Sequence, residues 1–377
     1  MNLPKTSLLY GKTIGIIGGG QLGRMMATTA RHMGYRLIVL DPTPDCPAAQ
    51  LADHHIIADY DDLEAIKQLR AVSDVVTYEF ENIDLEAARY LEKEGVLPQG
   101  AKSLEITQDR EKEKQAMIDS RQPVSPFQIV DSEQALSEAV EAIGLPAVVK
   151  TCRGGYDGKG QVKVKTHADL AAVKRLLKES GRLIYEAFVS FDCEISVVFT
   201  RSVEGDMCYF PIGENVHRDH ILHTTTVPAN VPETVQVKAK QAAKEIAETI
   251  GVVGTFTLEL FVKGQDIYVN ELAPRPHNSG HYTIEACNVS QFEQHIRAIV
   301  GLPLLPVYFH GASQMINLLG DNLDQYFKHP ELLTDVHIHM YGKDEIKVKR
   351  KVGHLTVVAE STEALERKLA NLHKKTM

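Results

Sequence analysis

The 377-residue chain is 44% hydrophobic and sets 41 Lys and Arg against 50 Asp and Glu, for a formal charge of -9. Those values suit a globular protein of two or three domains, and the acidic balance argues against a general nucleic-acid or membrane-surface binder, which needs a dense basic face. The 5 cysteines lack a CxxC pair, so neither a disulfide framework nor a zinc ribbon is supported; no apolar run approaches the ~20 residues of a membrane span, and a reducing cytoplasm is the expected location.

Lys12 to Gly18 reads as a short apolar strand, followed by a glycine turn, a helix through about Met33 stopped by Gly34, and a second strand from Leu37 to Leu40. Gly18, Gly20 and Gly23 match G-x-G-x-x-G, and Asp41 stands where a dinucleotide enzyme places its ribose acid. An NAD-dependent oxidoreductase is therefore one reading, and a tight strand-to-helix turn without ligand is another. Strands near His55 to Ala58 and Asp74 to Phe80 alternate with helices at Asp62 to Ala71 and Leu85 to Lys93, giving a small parallel α/β domain. Glu79 and Glu81 end its last strand, where ligands of open α/β sheets sit. Ser103 to Ser120 reads as one highly charged helix whose mixed signs, Asp109, Arg110 and Lys114 among them, suggest a solvated face.

From Pro123 the pattern changes to a strand (Phe127 to Val130), a helix capped by Ser132 and an apolar strand ending in Lys150. Gly154, Gly155, Gly158 and Gly160 follow within TCRGGYDGKGQ. So many glycines forfeit packing and cost backbone entropy, which suits a flap whose amides cover an anion, with Lys150 as a point charge at its base, or a long flexible turn. After a helix at Ala168 to Ser180 come strands carrying Glu186, Glu194 and His217; a helix from Thr234 to Ile250 then ends at Gly251.

Thr255 to Val262 and Asp266 to Leu272 alternate as a β-hairpin. A three-residue loop, Gly264 to Asp266, sets Glu259 opposite Glu271 on one face, ~4.5–5.5 Å apart at Cβ; a two-residue turn puts them on opposite faces. Two carboxylates on one face repel unless a cation sits between them, and their hard oxygens suit magnesium completed by phosphate. Solvent-facing acids of an ordinary hairpin are the competing reading. Arg275 follows four residues after Glu271. The tail holds a strand near Val336 to Tyr341 and the basic run Lys347 to His354, which is either an edge strand protected by lysines or a pocket for a substrate phosphate.

GGGQLGRMMA, YEFEN, RGGYDGKGQ, ENVHRDHIL and LAPRPHNSGHYTIEAC, in that order, resemble the ATP-grasp superfamily over the whole chain and, within it, the 5-(carboxyamino)imidazole ribonucleotide synthetase family. The resemblance implies an α/β ATP-grasp fold divided as an N-terminal Rossmann-like domain (1–106), an ATP-grasp domain (107–310) with a mobile lid over about 125–188, and a small C-terminal β-rich domain (311–377). It implies ATP-dependent carboxylation of 5-aminoimidazole ribonucleotide by bicarbonate through carboxyphosphate, giving ADP and phosphate in purine biosynthesis. ATP contacts fall to Arg110, Lys150, the flap Gly155, Tyr156, Asp157, Gly158, Lys159, Gly160 and Gln161, then Glu186, Ala187, Phe188, Val189, Glu194, His217, Asn270 and Glu271. Glu259 and Glu271 hold magnesium, expected as two ions, with manganese as a substitute. Arg275, Lys150 and Asp157 are the expected catalytic groups. The ribonucleotide site takes Gln21, Glu79, Tyr156, Asp157, Arg275, His277, Asn278, Lys343, Arg350 and Lys351. A homodimer is implied, with the product used by the following mutase. Ala273 replaces the asparagine many ATP-grasp ligases use as a further metal ligand, and Lys347 stands where relatives often carry arginine. A formate-dependent glycinamide ribonucleotide transformylase is the rival of the same class, the oxidoreductase the rival of another.

Overall fold

The computed structural model describes residues 11–155 and 160–376. Its first region runs β1 (Thr13–Ile17), α1 (Gln21–His32), β2 (Arg36–Leu40), β3 (His54–Ile56), α2 (Leu63–Val72), β4 (Val75–Tyr78) and α3 (Leu85–Lys93), with a parallel sheet in the order β3-β2-β1-β4. Both faces of that sheet are buried, as a parallel sheet requires. Leu37 and Val39 face α1 and the later helix Gln291–Ile299, while Ile38 and Leu40 pack with Ile66 and Leu69 of α2 and Ala88 of α3. Asp62 and Asp84 cap α2 and α3 by accepting backbone N–H bonds.

The charged stretch after α3 is two helices, α4 (Lys102–Thr107) and α5 (Arg110–Asp119), divided at Asp109, whose carboxylate caps α5 by accepting from the Glu111 N–H at 3.1 Å. It is not a solvated face: Asp109, Glu113 and Lys114 are each no more than 3% exposed. Glu113 lines the cleft described below, Lys114 lies behind it against Glu186, and Asp109 pairs with Arg153, none of which charge composition alone could reveal.

The next sheet is antiparallel, built from β5 (Phe127–Val130), β6 (Ala147–Thr151), β7 (Gln161–Val164) and β8 (Leu183–Ala187) in the order β5-β8-β6-β7. Helices α6 (Glu133–Ile143), capped by Ser132, and α7 (Leu170–Ser180) cover one face through Leu136, Val173 and Leu177 against Val149 and Tyr185. Strand alternation leaves Val148, Lys150 and Glu186 on the other face.

The largest sheet has nine strands: β9 (Cys193–Arg201), β10 (Met207–Tyr209), β11 (Gly213–Arg218), β12 (Ile221–Val227), β13 (Gly254–Lys263), β14 (Asp266–Ala273), β15 (Ser313–Leu319), β16 (Val336–Met340) and β17 (Lys351–Val358). Helix α8 (Glu233–Ile250) buries its alanine-rich face against β9 and β13 and ends at Gly251, whose φ is +78°. Helices α9 (Thr283–Ala286), α10 (Gln291–Ile299), α11 (Leu323–Phe327) and α12 (Thr362–Thr376) complete the chain. The C-terminal strands extend this sheet, β15 pairing with β12, and keep a core of their own around Ile316, Leu355 and Leu365. β17 lies between β15 and β16, so the basic run does not form the protected edge; β16 does, and Lys347 to Arg350 precede β17 in a turn.

A buried polar network joins the first region to the large sheet. The Thr77 hydroxyl of β4 donates to Gln99 Oε1 at 2.6 Å and lies 2.8 Å from His295 Nε2; the Thr255 N–H of β13 donates to His295 Nδ1 at 3.0 Å; Gln99 Nε2 donates to the Pro274 carbonyl at 3.3 Å. Burial pushes the His295 imidazole down to about 3, so it stays neutral in the folded protein while the unfolded chain takes up a proton below pH ~6.5. More protons on the unfolded state mean stability that is present near pH 7 and lost as pH falls through the window from about 6.5 toward 3. Urea unfolding followed from pH 7.5 to 4.5 is expected to show this decline. His295→Leu should cost about 2–3 kcal/mol at pH 7.5 through the orphaned Thr255 N–H and should flatten the decline; an unchanged pH slope would contradict the assignment.

Candidate active site

The hairpin β13–β14 places its two glutamates opposite one another by a route the loop length alone does not give. Lys263 pairs with Asp266, so of the two loop lengths open from the sequence the turn takes the shorter, Gly264 and Gln265, without setting the glutamates on opposite faces. From Val262↔Ile267 to Leu260↔Val269 the register follows that turn, and then Glu259 pairs with Glu271. Asn270 is the extra residue of a β-bulge, and the one-residue shift returns Glu271 to the face of Glu259. Side-chain exposure is 14% for Glu259 and 39% for Glu271. Burial, then the Glu271 charge, push the Glu259 carboxyl up to about 8. Two opposed hard-oxygen ligands whose repulsion a cation would relieve fit a magnesium site.

Cations and carboxylates ring this pair in a cleft of about 550 Å³. Lys150 of β6 lies 2.8 Å from Glu186 Oε2 and the buried Lys114 lies 2.9 Å from Glu186 Oε1. Burial alone would raise the Glu186 carboxyl, but the two ammonium groups hold it far below the usual carboxylate range. Arg110 Nη1 is 3.5 Å from Glu271 Oε2, and Glu113 Oε1 accepts the Leu272 N–H at 2.7 Å. Burial raises the Glu113 carboxyl to about 7 despite Arg110. Arg275 Nε is 2.7 Å from Glu81 Oε2, which leaves the guanidinium fixed at the end of β14. His217 Nδ1 lies 2.6 Å from Glu194 Oε2; burial pulls the imidazole down, but that contact and charge outweigh it and raise its pKa. His277 stays neutral, held well below its usual value by burial and the nearby Arg275 and Lys351. Phe191 and Phe261, stacked 4.6 Å apart, give one wall an aromatic surface.

The glycine turn of the first region is occupied by the protein itself. Glu79 accepts from the Gly20 N–H at 2.5 Å and the Gly23 N–H at 2.7 Å, and Asp41 accepts from the Gly19 N–H at 2.7 Å and the Tyr60 hydroxyl at 2.7 Å. The amides that would cradle a pyrophosphate thus hold an internal carboxylate, and a Cβ on Gly20 would sit 2.5 Å from Glu79 Oε1. Asp41 is spent on the turn rather than offered to a ribose. This geometry removes the support for an oxidoreductase and turns Glu79 and Gln21 toward the cleft, which both line.

The same cleft is lined by Arg110, Lys150, Gly155, Gly160, Gln161, Glu186 to Val189, Glu194, His217, Glu259, Asn270, Glu271, Arg275, His277, Asn278 and Lys351, bringing together nearly all the expected site residues. Lys343 and Arg350 are not among its walls: the Lys343 ammonium donates to the Lys351 carbonyl at 2.8 Å and Arg350 Nη1 to the Glu345 carbonyl at 3.3 Å. Tyr156, Asp157, Gly158 and Lys159 lie outside the described residues. Sequence reasoning missed Glu113 and gave Lys114 no role, although both stand three and four residues after Arg110 and therefore share its helix face. It also missed Phe261, which alternation puts on the face of Glu259.

Three family models cover the chain in succession: the ribonucleotide synthetase preATP-grasp domain over residues 11–108, the ATP-grasp domain over 115–292, and the phosphoribosylaminoimidazole carboxylase C-terminal domain over 313–368. The N5-carboxyaminoimidazole ribonucleotide synthase of Bacillus subtilis is 46% identical over 370 residues, covering 98% of this chain and 97% of its own. The crystal structure of the Staphylococcus aureus N5-carboxyaminoimidazole synthetase complexed with ADP matches with a TM-score of 0.94 and 41% identity over 99% of both chains. The Aspergillus clavatus enzyme in complex with ADP and 5-aminoimidazole ribonucleotide matches with a TM-score of 0.90 and 29% identity, over 98% of this chain and 99% of that one. With an ATP-grasp fold around a cleft of opposed carboxylates and fixed cations, and with these relatives matched end to end, the chain belongs to the N5-carboxyaminoimidazole ribonucleotide synthase family of ATP-dependent ligases.

Proposed function

We propose that this cleft carboxylates 5-aminoimidazole ribonucleotide with bicarbonate at the expense of ATP, by way of carboxyphosphate, in purine biosynthesis. The observation that carries the reading is the cross-strand pairing of Glu259 with Glu271 in a cleft that Lys150 and Arg275 also line. Glu259 and Glu271 would hold magnesium, as two ions or with manganese in its place; magnesium bound there supplies positive charge that offsets the triphosphate.

The nucleotide is assigned to the segment Glu186 to Val189, which runs on from the end of β8, beside the Phe191–Phe261 stack, with Glu194 and His217 as further contacts. Lys150 and Arg110 attract the phosphates, and we assign Gly155, Gly160 and Gln161 of the cleft wall, with Tyr156, Asp157, Gly158 and Lys159, to phosphate contacts that keep water from the mixed anhydride. A bicarbonate oxygen attacks the γ-phosphorus and ADP leaves. Arg275, held by Glu81, steadies the charge that collects on the transferring group. The ribonucleotide enters beside Gln21, Glu79, His277, Asn278 and Lys351, and Tyr156 and Asp157 would complete its site from the flap. Lys343 and Arg350 belong to that site only if the turn before β17 moves toward it. The amine then attacks the carboxyl carbon and phosphate departs, and the phosphate released can take the amine proton. We further propose a cytoplasmic homodimer whose product is consumed by the following mutase.

ADP release by the purified protein should require bicarbonate and aminoimidazole ribonucleotide together, and formate with glycinamide ribonucleotide should not replace them. ADP formation dependent on the formate pair would sink the reading. Arg275→Met should lower kcat by about a hundredfold or more with little change in the ATP KM, because its charge is used as the transition state forms. Glu259→Gln should abolish metal-dependent turnover yet raise the melting temperature of metal-free protein at pH 8.5. The sign follows from a folded carboxyl raised above its unfolded value: the penalty is absent below pH ~4.5, grows as pH rises toward 8, and disappears when the acid is replaced. A metal-free Glu259→Gln variant that melts lower at pH 8.5 would contradict it.

A further inference from the structure

Lys114 presents a buried ammonium with every donor committed. Its Nζ lies 2.9 Å from Glu186 Oε1, 3.1 Å from the Asn270 carbonyl and 3.4 Å from the Val269 carbonyl. Successive carbonyls of a regular strand point to opposite edges, so two neighbours reaching one ammonium mark the bulge that shifts Glu271 into register. Glu113, the preceding residue, accepts the N–H of Leu272 on the other side of that bulge. β14 ends the strand order, and along its outer edge the partners come from the Pro123–Val124 segment, where the Val269 N–H donates to the Pro123 carbonyl at 2.8 Å, and from α5.

The same ammonium governs a charge balance. Lys114, Glu186 and Lys150 form a line of two cations and one carboxylate, net +1, in which only Glu186 and Lys150 reach the cleft. Without Lys114, Glu186 would have a single ammonium to neutralise it and would draw Lys150 away from an incoming phosphate, leaving the line neutral. We propose that Lys114 is a positioning residue for the nucleotide: from behind the cleft it offsets Glu186 so that the Lys150 charge stays available to phosphate, and it pins the bulge that aligns Glu271 with Glu259. It touches neither substrate and acts through those residues. This rests on the nucleotide assignment above, for which Lys150→Met is the control.

The test measures ADP affinity by calorimetry, together with the KM values for ATP and aminoimidazole ribonucleotide, in the wild type, Lys114→Met, Glu186→Gln and the double variant. Lys114→Met should weaken ADP binding at least tenfold with the aminoimidazole ribonucleotide KM within threefold of wild type. The double variant, which restores the net charge of +1, should bind ADP at least fivefold more tightly than Lys114→Met. An unchanged ADP affinity, a loss shared equally by both substrates, or no recovery in the double variant overturns the proposal, since a merely structural role has no reason to respond to charge compensation. Should Lys114→Met not fold, Lys114→Gln, polar but uncharged, is measured in its place: ADP bound at least tenfold more weakly than by wild type supports the proposal, and unchanged affinity overturns it. If Lys150→Met leaves ADP affinity unchanged, the nucleotide assignment fails first.

Discussion

Two carboxylates facing each other across neighbouring strands are the costly feature around which the molecule is arranged. Glu259 and Glu271 reach that position through the bulge at Asn270, and their mutual repulsion adds to the burial that pushes the Glu259 carboxyl up to about 8. A fold carries such a pair only where surrounding groups over-determine it. Here α5 does so from one side, with Arg110 beside Glu271 and Glu113 and Lys114 bonded to the strand backbone, while Arg275 is fixed by Glu81 at the far end. The site trades stability for a binding capacity that a cation and a nucleotide would draw on.

Internal carboxylates recur as structural ligands elsewhere in the cleft. Glu79 fills the amide cradle at the start of α1, and Glu186 sits between two lysines. Each holds in place groups that would otherwise be mobile or mutually repelling. The Thr77–Gln99–His295 network sets the first region against β13 and β14, so the carboxylates of the first sheet and the guanidinium at the end of β14 keep one spatial relation. Architecture and chemistry are therefore coupled through buried polar groups, which specify one arrangement because alternatives leave them unsatisfied.

Much of this was legible in the amino-acid order. The βαβ start, the Ser132 cap, the Gly251 stop and the alternating strands of the hairpin follow from local propensity and periodicity, and the motif series carried the family. What escaped was set by contacts distant along the chain. The bulge at Asn270 leaves no local signature, so neither loop length considered from the sequence accounts for the outcome, a two-residue turn with both glutamates on one face. The charged helix read as solvated because composition does not tell which charges meet partners; only the spacing of Glu113 and Lys114 from Arg110 hinted at a common buried face. The G-x-G-x-x-G turn looked like a dinucleotide cradle because its occupant, Glu79, is supplied from the end of another strand. Strand β17 is interior because β16 folds back onto it, a pairing the lysines at its start do not disclose.

The central claim is that Glu259 and Glu271 together grip the metal that accompanies the nucleotide. Anomalous diffraction at the manganese edge, from crystals grown with manganese and ADP, tests it most directly. The account predicts manganese within direct coordination distance of carboxylate oxygens from both Glu259 and Glu271, beside the ADP phosphates. Manganese bound to ADP but coordinated by neither glutamate would contradict it.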